Sequence, residues 1–96
     1  MRNDVITLIA NIVEGAKVST KESVVFAEKK SVRQSEFYSA AAVGLKPELV
    51  FSVDVRDFES AATEQHDPTE VIYNERHYNI IRTYCTGADM EITVGR

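Results

Sequence analysis

The chain has 96 residues, 44 % hydrophobic and 27 % charged, with a formal net charge of −4. That length fits a single domain over residues 1–96 with a thin core, because a domain of this size buries roughly 60–65 % of its unfolded surface. The mild acidity argues against a protein that coats nucleic acid through its whole surface, since such binding needs Lys and Arg to neutralise phosphates; it leaves room for contact with DNA at one loop.

Cys85 is the only cysteine. No intramolecular disulfide can form, and a cytosolic origin is the easier reading. In "IIRTYCTG" Cys85 falls on a strand pattern and reads as a small buried apolar side chain rather than a reactive thiol. The N-terminus has no apolar leader core, and no run approaches the ~20 apolar residues of a membrane helix. The expectation is a protein neither secreted nor membrane-bound.

Strand signals dominate the chain order. Residues 4–12, "DVITLIANI", place Ile6, Leu8, Ala10 and Ile12 on one face and Val5, Thr7 and Ile9 on the other. Both faces are partly apolar, so this strand is expected to be covered on two sides or to lie at a subunit contact. Residues 14–22, "EGAKVSTKE", are polar with one Gly and read as a loop. Residues 23–32 return to strand, with Val24 and Phe26 on one face and Val25 and Ala27 on the other. Lys29 and Lys30 put the end of that strand at the surface or at an edge.

Residues 48–58, "ELVFSVDVRDF", carry the cleanest alternation: Leu49, Phe51, Val53 and Val55 against Val50, Ser52, Asp54 and Arg56. Residues 59–69 read as a polar loop ending near Pro68. Strands over residues 70–74 and 77–85 flank Asn74, whose tolerance of left-handed backbone makes it the pivot of a hairpin. Gly is the usual partner at the second turn position, and Glu75 there leaves the turn type open. Gly87 turns the chain again into a strand over residues 90–94. About six short antiparallel strands in so small a chain favour a barrel or sandwich, and closure removes edges that would otherwise aggregate. The expected fold is mainly β: a small antiparallel barrel of about six strands with one short inserted α-helix.

That helix is expected over residues 35–44. Ser35 is a good N-cap, Glu36 suits the positive end of the helix dipole, and Ala40, Ala41 and Ala42 are strong helix formers. Gly44 can end the helix in the left-handed conformation, with Pro47 shortly after. Alone, so short a helix is marginal in water, so it must pack on the barrel or on another subunit. Phe37 and Tyr38 read either as partner anchors or as cover for the protein's own core. Residues 34–46 are the expected interaction element, with Ala41 and Gly44 permitting close packing and the whole moving as a unit on assembly.

No catalytic set stands out, and no cofactor or metal is expected. His66 in "EQHDP" and His77 in "ERHYN" match no common ligand spacing and read as solvated or hydrogen-bonded side chains. Asp54, Asp57 and Glu59 read as a solvated face rather than an acid–base pair. Lys29, Lys30 and Arg33 form the one basic cluster. No aromatic stacking platform is interleaved with it, so a charged rim that pairs with a neighbouring subunit is favoured over a nucleic-acid site. From residues alone the reading is a small β-rich assembly or binding module, not an enzyme.

Three segments taken together, "MRNDVITLIA", "SVRQSEFYSAAAVGLKPELVF" and "EVIYNERHYNIIRTYCTGADMEITV", resemble the phage head–tail joining proteins, also called head closure or stopper proteins, of tailed phages and Gram-positive prophages. The resemblance covers most of the chain, and "SVRQSEFY" followed by "LKPE" is its most specific part. It implies a small β-barrel with a short helix inserted between strands. It further implies a ring in the virion neck that contacts the portal and its adaptor above and the tail or a tail-completion protein below. Such a ring closes the DNA exit after packaging, with transient contact to DNA, and is assembled in the bacterial host cytoplasm. A tail-completion protein and a small β-barrel nucleic-acid-binding module are the alternatives.

Overall fold

Period-two alternation of apolar residues decides this architecture. The computed structural model describes residues 3–31, 46–64 and 66–95. Among the described residues its strands are β1 (Asp4–Glu14), β2 (Lys17–Lys30), β3 (Pro47–Asp54), β4 (Glu70–Tyr73), β5 (Arg76–Thr86) and β6 (Asp89–Gly95), with a helix, α1 (Val55–Ala61), between β3 and β4. The strands close into a barrel in the order β1-β2-β3-β6-β5-β4. Every neighbouring pair is antiparallel. The mainly β fold expected from the sequence, a six-stranded barrel with a short helix, is therefore the fold of the chain.

The interior is filled by alternate residues of each strand. Ile6 and Leu8 of β1, Val25 and Ala27 of β2, Phe51 and Val53 of β3 and Ile92 and Val94 of β6 form one buried cluster with Val71 and Tyr78. Side chains on successive strand residues point to opposite faces, so these assignments fix the outward set as well. Val24 and Phe26 face outward, as their alternation predicts. On β3 and β6 the opposite face is also buried, at Val50, Ser52 and Thr93.

Three two-residue turns join the hairpins. Asn74 and Glu75 both have positive φ, 51° and 65°. Two consecutive left-handed residues are the signature of a type I′ turn, so Glu75 occupies the position that Gly ordinarily fills. Gly15 (φ 60°) and Gly87 (φ 63°) each take the first turn position of a hairpin with no positive φ after them, as a type II′ turn requires.

Several expectations are corrected. Residues 14–22 are not a loop: Gly15 and Ala16 alone turn the chain, and β1 and β2 pair without a break from Asp4–Ala27 to Glu14–Lys17. The polarity of this stretch reflects exposure on both sides. β1 meets β4 only at Thr7–Ile9, and β2 meets β3 only at Glu28–Lys30. Beyond those points the β1–β2 ribbon projects from the barrel among the described residues, and its end needs no apolar face. Residues 55–58 are not strand but the first turn of α1. The Asp54 side chain accepts a hydrogen bond from the Arg56 backbone N–H at 2.8 Å, and this cap stops the strand. Residues 59–61, expected in a loop, complete the helix, and Phe58 and Ala61, three apart on one face, are buried against the barrel core. Cys85 is exposed, not buried. β4 pairs with β5 only as far as Asn79, so the outer half of β5 has no neighbouring strand on that side among the described residues. The helix expected over residues 35–44 lies outside the described residues.

Candidate interaction surface

Helix α1 packs across one end of the barrel. It lacks a basic residue in its own last turn, and Lys21 of β2 supplies the missing cation. Its Nζ donates to the carbonyls of Ser60 at 2.5 Å and Ala62 at 3.1 Å. A cation at the C-terminal end satisfies orphan carbonyls and opposes the helix dipole. The segment after α1 then runs along the outside of β1. Thr63 Oγ1 donates to the Asn11 carbonyl at 3.1 Å, and the Thr69 N–H donates to the Ile9 carbonyl at 2.9 Å. Lys21 and Thr63 thereby brace the projecting ribbon against the barrel, with an open cleft between the ribbon and residues 62–64.

The other end of the barrel carries the predicted basic residues. The Asp4 carboxylate accepts from the Tyr73 hydroxyl at 3.1 Å and from the Lys29 backbone N–H at 3.3 Å. The Lys29 ammonium lies 5.9 Å from the Tyr73 ring centroid, and that ring meets Phe51 edge-on at 5.0 Å. Burial, then the hydrogen bond to Asp4, push the Tyr73 phenol above its ordinary pKa. Lys30 pairs with Glu91 at 3.5 Å. Lys29 and Lys30 thus sit side by side in sequence but serve separate contacts within the chain. Arg33, Ser35, Phe37, Tyr38, Ala41 and Gly44 lie outside the described residues.

The β1 side of the ribbon's outer face was expected to be covered or to lie at a subunit contact; the β2 side was not among the expected contact residues. Its cross-strand pairs include Val5–Phe26, Thr7–Val24 and Val13–Val18. Phe26 is 65 % exposed, and Val18 and Val24 are each 70 % exposed. Between these apolar ends lie the pairs Ile9–Glu22 and Asn11–Thr20. Glu22 is the single charged side chain between the Val5–Phe26 and Val13–Val18 pairs on this face. The signal was present in the alternation of Val24 with Val25 and of Val18 with Ser19. The polar run around Gly15 hid the Val13–Val18 pair, which Ile9, buried at 5 % exposure, separates from Val5, Val24 and Phe26.

The candidate chemical groups are dispersed. Among the described residues no group of three or more His, Cys, Asp or Glu is placed to hold a metal ion, and no helix is long and apolar enough to cross a membrane. His66 lies in a turn, its backbone N–H donating to Thr63 Oγ1 at 3.0 Å. Asp54 caps α1 and pairs with Arg56 at 3.2 Å, and that hydrogen bond and charge raise the Arg56 pKa further. Compared with known proteins, the chain matches no family model and no curated protein.

Proposed function

We propose that this chain is a structural subunit of the neck of a tailed phage, acting in a ring between the portal–adaptor and the tail. In this reading it closes the DNA exit after packaging, gives the tail a docking surface, and does no covalent chemistry. The observation that carries it is the outward strip of Val5, Val24 and Phe26 on a closed barrel. Aromatic and aliphatic side chains held outward on a rigid sheet suit contacts between proteins. The resemblance of residues 1–10, 31–51 and 70–94 to head–tail joining proteins supplies the particular assembly. The barrel architecture agrees with that family's.

Deletion of the gene from its phage or prophage, followed by electron microscopy of the induced particles, tests this. The expected result is tailless heads that have lost their DNA beside free, finished tails. Heads that keep their DNA but carry defective tails would point to tail completion instead. Intact infectious particles would end the neck reading. Salt-dependent DNA binding by the purified chain, lost on replacing Lys29 and Lys30, would move it to the nucleic-acid class.

A further inference from the structure

Strand β2 keeps a long open edge. The Ile9 carbonyl accepts from the Thr69 N–H, and the Asn11 carbonyl accepts from Thr63 Oγ1, so both carbonyls point away from β2. In an antiparallel pair, directly opposed residues either bond each other or both turn away. Ile9–Glu22 and Asn11–Thr20 are therefore wide pairs, and by alternation so are Val13–Val18, Thr7–Val24 and Val5–Phe26. The Lys29 N–H turns toward Asp4 of β1, the opposite parity, as the alternation requires. Val18, Thr20, Glu22, Val24 and Phe26 thus aim their N–H and C=O groups at the far edge of β2. Strand β3 reaches that edge only at Glu28–Lys30, and among the described residues no loop, turn or helix cap bonds these five.

Open edges are blunted by Pro, by bulges, by short length or by inward-pointing charge. No Pro or Gly falls between Lys17 and Lys30, and β2 pairs with β1 without a register shift. Lys21, which points inward, is taken up by the Ser60 and Ala62 carbonyls. Val, Thr and Phe along the row are strong strand formers, and Val18, Val24 and Phe26 are largely exposed. A row of unpaired N–H and C=O groups at strand spacing is complementary to the backbone of another extended chain. Glu22, in the middle of the row, selects the chain. It makes no ion pair or side-chain hydrogen bond among the described residues. Antiparallel pairing with β2 of a second copy, centred on this row, would set Glu22 against Glu22, and directly opposed like charges are destabilising. A register shift would leave it opposite Thr20 or Val24, without a counter-charge. A foreign strand with Lys or Arg at that position, flanked by apolar residues, satisfies the whole row.

We infer that the free edge of β2, Val18–Phe26, takes up an extended segment of a different polypeptide as an added strand, with a Lys or Arg of that segment opposite Glu22. The probe is a fluorescein-labelled peptide as long as that edge, in which Val and Thr alternate from a terminal Val and Lys replaces the central Val. A second peptide carries Glu in place of that Lys. Binding to the purified chain is read by fluorescence anisotropy. Two variants accompany the parent. Glu22→Lys reverses the charge on the row. Thr20→Pro removes an N–H that β1 does not use and puts a ring in the path of an incoming strand, a change that edge positions tolerate.

The parent is expected to bind the Lys peptide saturably, with Kd below about 1 mM, and the Glu peptide about fivefold more weakly. Glu22→Lys is expected to reverse that order. Thr20→Pro is expected to keep the parent's far-UV circular dichroism and to bind the Lys peptide at least about tenfold more weakly. Absence of saturable binding overturns the proposal. So does a preference that ignores the charge at residue 22, since the strand would then not lie in this register. A charge preference that survives Thr20→Pro would mean a surface ion pair without an added strand, and overturns it as well. A parent that dimerises in sedimentation, with the dimer lost in Thr20→Pro, would put a second copy on the edge and refute the foreign strand. The assay needs no virion, so its failure and the failure of the neck reading in the gene deletion are separate results.

Discussion

Gly95 ends β6 where β3 begins, opposite Pro47, and β3 carries a register shift there between Pro47 and Leu49. An added Cβ at Gly95 would lie 2.0 Å from the Lys46 carbonyl oxygen, 2.8 Å from its carbon and 2.9 Å from Ile81 Cδ1. The Ile81 methyl can rotate away. The Lys46 carbonyl is backbone, held at the start of a strand paired along its length with β6. Relief of the clash in Gly95→Ala must therefore move β3 away from β6. Overpacking costs typically 1–3 kcal/mol, and a backbone partner places this case at about 3. A domain of this size has about 5–15 kcal/mol of total stability, so the loss is a large fraction of it. At about 4–8 °C per kcal/mol, the melting temperature falls by roughly 12–24 °C. Thermal unfolding followed by far-UV circular dichroism, with urea midpoints alongside, measures it. A variant that melts within about 2 °C of the parent would refute the reasoning, since residues 46 and 47 would then separate from β6 at almost no cost.

Three further expectations follow from single contacts. Glu75→Gly is expected to stabilise the protein by about 1 kcal/mol, because Gly removes the left-handed penalty at φ 65° and gives back part of it in unfolded-chain entropy; the urea midpoint should rise with m unchanged. Lys21→Met keeps the aliphatic stem but withdraws the cation from the Ser60 and Ala62 carbonyls, and is expected to cost about 1 kcal/mol in thermal unfolding. Tyr73 has a folded-state pKa above its ordinary value, so its contribution is fully present below the unfolded pKa of about 10 and is lost as pH rises through the folded pKa. Tyr73→Phe is therefore expected to be less stable than the parent at neutral pH, with the gap in urea midpoint narrowing above about pH 10; a gap that widens there would contradict the assignment.

The parts legible in sequence were those where local chemistry and tertiary burial ask for the same residues. Val25 and Ala27 alternate with Val24 and Phe26, and the barrel buries the first pair and exposes the second. Asn74 marked its hairpin because few residues tolerate left-handed backbone. Glu75 left the turn type open because its φ of 65° is imposed by pairing of β4 with β5 on both sides of the turn. Elsewhere the two levels diverge. The alternation of Phe51, Val53 and Val55 runs on past the point where the Asp54 side chain caps α1, so period alone carried the strand too far. Cys85 has a strand pattern around it, but its burial depended on how far β4 reaches, which no local pattern encodes. The ribbon beyond Asn11 carries polar residues because both its faces meet solvent, and polarity without apolar alternation reads as loop.

The same divergence explains why the exposed Val18 and Val24 side of the ribbon went unread. A two-stranded ribbon is marginal in water by itself. Here Lys21 ties its inner side to the end of α1, and Thr63 ties its β1 edge at Asn11. The ribbon is therefore ordered before any partner arrives. Ordering a surface in advance lowers the entropy lost when anything binds it. If the brace is what orders the ribbon, Lys21→Met should speed amide hydrogen exchange along Val13–Val18 as well as lower the melting temperature. A variant that melts earlier but exchanges there like the parent would leave the order of the ribbon independent of Lys21.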